Sequence, residues 1–259
     1  MRIALGIEYD GTDFCGWQVQ NGTRTVQGAV EAALSKVANH PVQVVCAGRT
    51  DAGVHAVGQV VHFDSDAPRS MRSWLLGANS NLPRDVGVTW AQAVDSEFSA
   101  RFAATARSYR YVILNRMTRP AVLRDRVCWQ HRPLDEGLMQ SAARHLLGEH
   151  DFSSFRALAC QARHPVRTIH RLEVARSGDF IHIDVTANAF LHHMVRNIAG
   201  VLMTVGEGEK PVEWTAELLA ARDRTVGGVT APAGGLYLVA VEYPLRFGLS
   251  EEASPPRFG

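Results

Sequence analysis

Residues 47–55 read Ala47-Gly48-Arg49-Thr50-Asp51-Ala52-Gly53-Val54-His55, a lone carboxylate beside an arginine in a glycine-bracketed connection. Upstream, Val42-Gln43-Val44-Val45 alternates and predicts a strand; downstream, Val57-Gly58-Gln59-Val60-Val61-His62-Phe63 predicts another. Asp51 is therefore expected in a loop between two strands, where functional residues concentrate and where a nucleophile is well presented. An isolated Asp-Ala-Gly is ordinary turn chemistry; the surrounding string is what singles it out.

Working outward, residues 3–9 alternate as a strand, and 26–38 carry Val26, Val30, Ala33, Leu34 and Val37 at helical spacing behind a potential N-cap, Thr25. Strands are expected over 42–46 and 57–63, a helix over 70–78 and a strand over 87–93. The resulting β-α-β-β-α-β order predicts an α/β (α+β) fold of the ferredoxin-like or RRM-like kind. The second half repeats the theme loosely. It has a strand over 108–115, a helix over 135–147, and a hairpin of 168–175 with 180–186 around Ser177-Gly178-Asp179. Helices over 190–205 and 214–221 follow, then a strand over 236–241. Two subdomains are expected, 1–104 carrying the Asp51 loop and 105–247, with a disordered tail over 248–259.

At 259 residues and 46% hydrophobic content the chain can fill one large core or two small ones. No apolar run reaches membrane-spanning length and no cleavable signal opens the chain, so a cytoplasmic protein is expected. Cys15, Cys46, Cys128 and Cys160 are scattered without a Cys-x-x-Cys pair, which argues against a zinc knuckle or a disulfide framework. The net charge is only +1, yet Lys36 and Lys210 are the only lysines among 27 basic residues. That arginine excess suits phosphate contact and base stacking; codon bias in a GC-rich genome would produce it equally. Arg101, Arg107, Arg110, Arg116, Arg119, Arg124, Arg126 and Arg132 face one local acid, Asp125, and Arg156, Arg163, Arg167, Arg171 and Arg176 follow. Interleaved with Tyr109, Tyr111, Trp129, Phe152 and Phe155, these runs favour a polyanion with exposed bases over a merely solvated face.

The string Gly-Arg-Thr-Asp-Ala-Gly-Val-His, followed by Gln59-Val60-Val61-His62-Phe63, resembles the signature of the tRNA pseudouridine synthase A family. The resemblance extends through Ile3-Ala4-Leu5-Gly6-Ile7-Glu8-Tyr9-Asp10-Gly11 with Gly16-Trp17-Gln18, and through Phe102-Ala103-Ala104-Thr105-Ala106-Arg107-Ser108-Tyr109-Arg110-Tyr111. It continues in Asn188-Ala189-Phe190-Leu191-His192-His193-Met194-Val195-Arg196-Asn197 and Gly235-Leu236-Tyr237-Leu238. It implies two α/β subdomains with antiparallel sheets flanking a central RNA-binding cleft, a homodimer, and isomerisation of uridine at positions 38, 39 and 40 of the tRNA anticodon stem-loop. No cofactor, metal, membrane or DNA partner is implied.

That reaction breaks the N1–C1′ bond, turns the base, and rejoins it through C5, so atoms are conserved. A carboxylate can act at the sugar–base junction. The resemblance gives Asp51 that catalytic role, on a flipped-out uridine. Arg49 would fill the gap the base leaves, Tyr109 would contact the base and assist at C5, and Arg196 would keep Asp51 ionised. Tyr111, on the same strand face as Tyr109, is expected to be core. His192-His193 with His55 and Asp51 raise a metal reading, but adjacent residues on a helix point about 100° apart and no i, i+4 histidine pair is present. The competing classes are a non-catalytic RNA-binding protein and a metal-dependent nuclease using Asp51 and His55.

Overall fold

The computed structural model describes residues 1–158, 160, 162–249, 255–256 and 258. The chain divides into two compact units, Met1–Thr105 with Tyr237–Pro256, and Ala106–Leu236, to which Phe258 also belongs.

The first unit runs β1 (Arg2–Tyr9), α1 (Val26–Ala38), β2 (Val45–Cys46), β3 (His55–Asp64), α2 (Met71–Asn81) and β4 (Val86–Val94). β1 pairs antiparallel with both β3 and β4, and β2 pairs antiparallel with β3. The order β4-β1-β3-β2 is that of a ferredoxin-like sheet. The chain's closing strand, Leu236–Glu242, adds to β3 in parallel at Tyr237↔His55 and Leu238↔Ala56. Helix α1 starts where Thr25 Oγ1 accepts the Gly28 N–H at 3.3 Å, one of the orphan donors of a first helical turn. Its Val26, Val30, Ala33 and Leu34 are buried. Strand β2 is shorter than the 42–46 alternation predicts. The Val42 N–H donates to Ser35 Oγ at 2.9 Å and the Val44 N–H to Glu31 Oε1 at 3.0 Å. Side chains of α1 thus take donors that a longer strand would have used.

The second unit contains β5 (Ala106–Asn115), β6 (Cys128–Gln130), α3 (Glu136–Ala143), β7 (Gly148–Asp151), β8 (Val166–Ser177), β9 (Phe180–Ala187), α4 (Met194–Gly206) and α5 (Trp214–Ala221). Strands β5, β9, β8 and β7 pair antiparallel in that order, and β6 lies parallel to β5. The β8–β9 hairpin closes through Gly178, at φ 56°, and Asp179. On β9, Ile181, Ile183, Val185 and Ala187 are buried while alternate residues are half-exposed, the period-2 pattern of a sheet covered on one face. Helix α3 packs on α4 and on β8.

Two helix expectations shorten. The 135–147 segment is helical only to Ala143 and then tightens into a 3-10 turn over Arg144–Leu146. The 190–205 segment becomes helical only at Met194, because His193 sits in the left-handed region at φ 63°. Most of the 248–259 tail lies outside the described residues; within it, Phe258 stacks on Phe180 at 6.2 Å. Among the described residues, no helix is long and apolar enough to cross a membrane.

Candidate active site

Asp51 is half-buried and Arg49 exposed, in the connection between β2 and β3. The loop's shape is fixed by its neighbours. Gln59, on β3 and fully buried, donates from Nε2 to the Gly48 carbonyl at 2.6 Å and receives the Gly48 N–H at 3.4 Å. Thr50 and Tyr9 share a hydroxyl–hydroxyl bond of 2.7 Å, and the Trp17 N–H donates to the Thr50 carbonyl at 3.0 Å. The turn itself closes through Val54 N–H to the Asp51 carbonyl at 3.2 Å.

Close backbone approach requires glycine at two points. A Cβ on Gly11 would lie 2.0 Å from the Val54 carbonyl oxygen, and Gly16, at φ +84°, would place one 2.8 Å from that of Thr50. Each is a position only glycine tolerates. Segment 10–17 thus lies directly against the Asp51 loop. His55, which the nuclease reading would make a ligand, is buried. Its Nδ1 takes the Gly11 N–H at 3.0 Å, lies 3.1 Å from Asp10 Oδ1, and its ring stacks on Tyr237 at 4.7 Å. The Cys46 thiol at the loop's entrance is pushed up to about 11 by burial, against the opposing pull of Arg49 and Arg101.

In the second unit, Tyr109 is half-buried on β5, opposite Val185, with Phe190 edge-on at 5.0 Å. Tyr111 is core, as its sequence position predicts. Its hydroxyl donates to the Pro232 carbonyl at 2.9 Å, and burial raises its ionisation well above the usual tyrosine range. Arg196 sits in the first turn of α4, half-buried, with Nε donating to the Ala231 carbonyl at 2.8 Å and its own carbonyl accepting the Ala231 N–H at 3.1 Å.

The strap carrying Ala231 is pinned by Asn197, which closes the family-like 188–197 string but has no role assigned there, and by Arg224 and Thr230, which carry no sequence signal. Asn197 is buried. Its Nδ2 donates to the Phe155 carbonyl at 2.6 Å and its Oδ1 accepts from Thr230 Oγ1 at 2.6 Å and from Arg224 at 3.2 Å. Gly200 admits the strap, since a Cβ there would lie 1.9 Å from the Val229 carbonyl oxygen.

His192 and His193 precede the helix rather than riding on it, and their rings lie 4.1 Å apart, tilted by 44°. The 100° separation expected of helical neighbours does not apply to them.

Tertiary pairing thins the basic runs. Arg110 is bidentate on Asp184, at 2.7 Å through each nitrogen, and Arg132 reaches Glu207 at 3.0 Å and also Glu209. Arg171 pairs with Glu173 at 2.5 Å and Arg176 with Glu136 at 2.8 Å. Phe152 and Phe155 are fully buried, so they are core and not base-stacking residues. Local charge counting missed most of this because Asp184, Glu207, Glu209 and Glu136, and the elements that cover Phe152 and Phe155, come from distant sequence; only Glu173 lies beside its arginine.

The chain belongs to the tRNA pseudouridine synthase family, whose profile matches residues 6–103 and 142–244. It is 60% identical over 256 residues to tRNA pseudouridine synthase A of Alcanivorax borkumensis, covering 98% of this chain and 96% of that one. It is 60% identical over 255 residues to the Nitrosococcus oceani protein of the same name, with 98% of each covered. The Vibrio cholerae counterpart is 58% identical over 258 residues, covering 100% and 98%. The protein is accordingly an isomerase that converts uridine in tRNA to pseudouridine.

Proposed function

We propose that the enzyme acts on uridines 38, 39 and 40 of the tRNA anticodon stem-loop, in the cytoplasm, as a homodimer, without cofactor, metal or DNA. The target uridine is flipped out of its stack into the site. Asp51 supplies the anionic group that attacks or deprotonates at the sugar–base junction. Arg49, exposed two residues away, occupies the space the base vacates. Tyr109 holds the base edge and passes on the C5 proton, and Arg196 holds Asp51 as the anion.

The observation that carries the proposal is the Asp51 loop. Side chains from β1 and β3 and the Gly11–Trp17 segment fix its backbone through the protein's own contacts, and catalysis rewards a held geometry of this kind. Two further placements support the other roles. Tyr109 is half-exposed, unlike its core neighbour Tyr111, and Arg196 has its guanidinium direction set by the Ala231 carbonyl. Pseudouridine mapping of tRNA from cells lacking the protein tests the substrate assignment: the three anticodon-arm positions should lose the modification, and their retention would refute it.

A further inference from the structure

The turn at residues 98–103 is bolted from two sides. Phe98 and Ala100 are buried in one cluster with Ala4, Ala47, Val60 and Phe247. The Ala100 N–H donates to His62 Nδ1 at 3.1 Å and its carbonyl accepts from the Tyr243 hydroxyl at 2.7 Å. Ser99 closes the turn, its carbonyl accepting the Ala103 N–H at 2.9 Å and its Oγ the Phe102 N–H at 3.3 Å. What this fixed backbone presents is an exposed pair. Phe102 is 81% exposed, and the Arg101 guanidinium lies 5.2 Å from its ring centroid.

The pair borders the Asp51 loop. Ala47, the first residue of that loop, packs in the same cluster as Ala100, with Ala103 against it. Arg49 and Arg101 both act on the Cys46 thiol. Holding an aromatic ring in water on a rigid turn, under a guanidinium, is the arrangement of a base-stacking platform.

We propose that Arg101 and Phe102 form a nucleotide-binding step beside the Asp51 loop, with an unpaired base of the RNA substrate stacked on the ring face opposite the guanidinium and Arg101 meeting a phosphate. The proposal rests on the reading of Asp51 as the catalytic carboxylate only for its location; RNA stacking itself is tested apart from turnover. In an Asp51→Asn background, tRNA affinity is measured by titration for Phe102, Phe102→Ala, Phe102→Leu and Phe102→Trp. Ala and Leu should each weaken binding about tenfold, the range of one lost stacked base, while Trp restores it and melting temperatures stay together. In the Asp51 background, Phe102→Ala should raise KM by more than it lowers kcat. Arg101→Ala should reduce the salt slope of binding by about 0.7 to 0.9.

Unchanged affinity in Phe102→Ala overturns the proposal, as does full affinity in Phe102→Leu, which would make the contact merely apolar. A shift in oligomeric state with RNA affinity intact would assign the ring to a protein partner and overturn it equally. If instead Asp51→Asn retains turnover, the catalytic reading fails while the Phe102 affinity series still decides the stacking.

Discussion

The segments around Asp51 and Arg196 are held in different ways. The Asp51 loop is gripped by backbone groups and by side chains that reach backbone. Gln59 clasps Gly48, Trp17 N–H reaches Thr50, and Gly11 and Gly16 allow main chain to touch main chain. Arg196 is held by a side-chain network, in which Asn197 gathers Phe155, Arg224 and Thr230, and the strap so pinned offers the Ala231 carbonyl to the guanidinium. The first arrangement fixes a loop whose backbone geometry is itself the device. The second fixes one side chain's direction, through residues up to about forty positions away in sequence.

The sharpest break is chemical. Asp51→Asn keeps size and most hydrogen bonding but removes the anion, so the variant should fold, bind tRNA and release no tritium from 5-tritiated uridine. Substantial release would end the nucleophile-or-base reading. Asp51→Glu should be nearly as inactive, because one methylene moves the carboxylate beyond a reactive geometry that tolerates less than about 1 Å. Chelator should leave wild-type release unchanged.

Next in size, Tyr109→Phe should slow turnover severely while keeping the fold and most of the tRNA affinity, and Tyr109→Leu should lose affinity as well. Wild-type rates in the Phe variant would strip the hydroxyl of a chemical role.

How legible these segments were follows from how they are held. Helix α1 and its Thr25 cap were readable because cap, apolar spacing and terminus all lie within fourteen residues. The Asp51 loop was readable because the residues that shape it, from Tyr9–Trp17 and Gln59, belong to the same strings that carry the family resemblance. Strand β2 was overestimated because no local pattern shows that Glu31 and Ser35 will claim its donors. His193 in the left-handed region, the partners of Arg110 and Arg132, and Asn197 at the hub of its network are all tertiary outcomes. An apolar period of 3.6 runs through 190–205 whether or not the first turn is helical.

The glycines test the backbone side of the comparison. Gly11→Ala and Gly200→Ala each force a Cβ onto a carbonyl oxygen, at 2.0 and 1.9 Å respectively, and overpacking of this kind costs about 1–3 kcal/mol or more. Both should lower the melting temperature. Only Gly11→Ala should also abolish turnover at temperatures where it remains folded, since Val54 closes the Asp51 turn. Equal residual activities would mean that the loop has slack the contacts do not reveal. Asn197→Ala tests the side-chain side. It leaves the Phe155 carbonyl and the Arg224 and Thr230 donors short of a partner, at a cost of about 1–3 kcal/mol, measurable by urea titration. Loss under about 0.5 kcal/mol would place the strap's support elsewhere.

The smallest effect separates the two units by pH. His62 in the first and His182 in the second are both held below the ordinary histidine range, by burial first and then by Arg2 and Arg110 respectively. A histidine whose folded pKa is depressed leaves the unfolded chain binding more protons, so stability is complete above about 6.5 and falls on acidification until the folded group also protonates. The two should differ in what protonation breaks. His62 Nδ1 accepts the Ala100 N–H at 3.1 Å, a bond that only an unprotonated nitrogen can make. His182 Nε2 is buried with no hydrogen-bond partner among the described residues, and its ring stacks near Phe180 at 6.4 Å. His182→Phe should therefore cost little at pH 8 and flatten part of the decline between pH 6.5 and 5. His62→Phe should destabilise at pH 8 by orphaning a buried N–H. Urea midpoints taken from pH 8 to pH 5 decide it: a wild type whose stability does not fall on acidification, or a His182→Phe variant with an unaltered slope, would remove the histidines from the account and leave acid sensitivity to paired carboxylates such as Asp64, which the Arg2 guanidinium holds below its usual range.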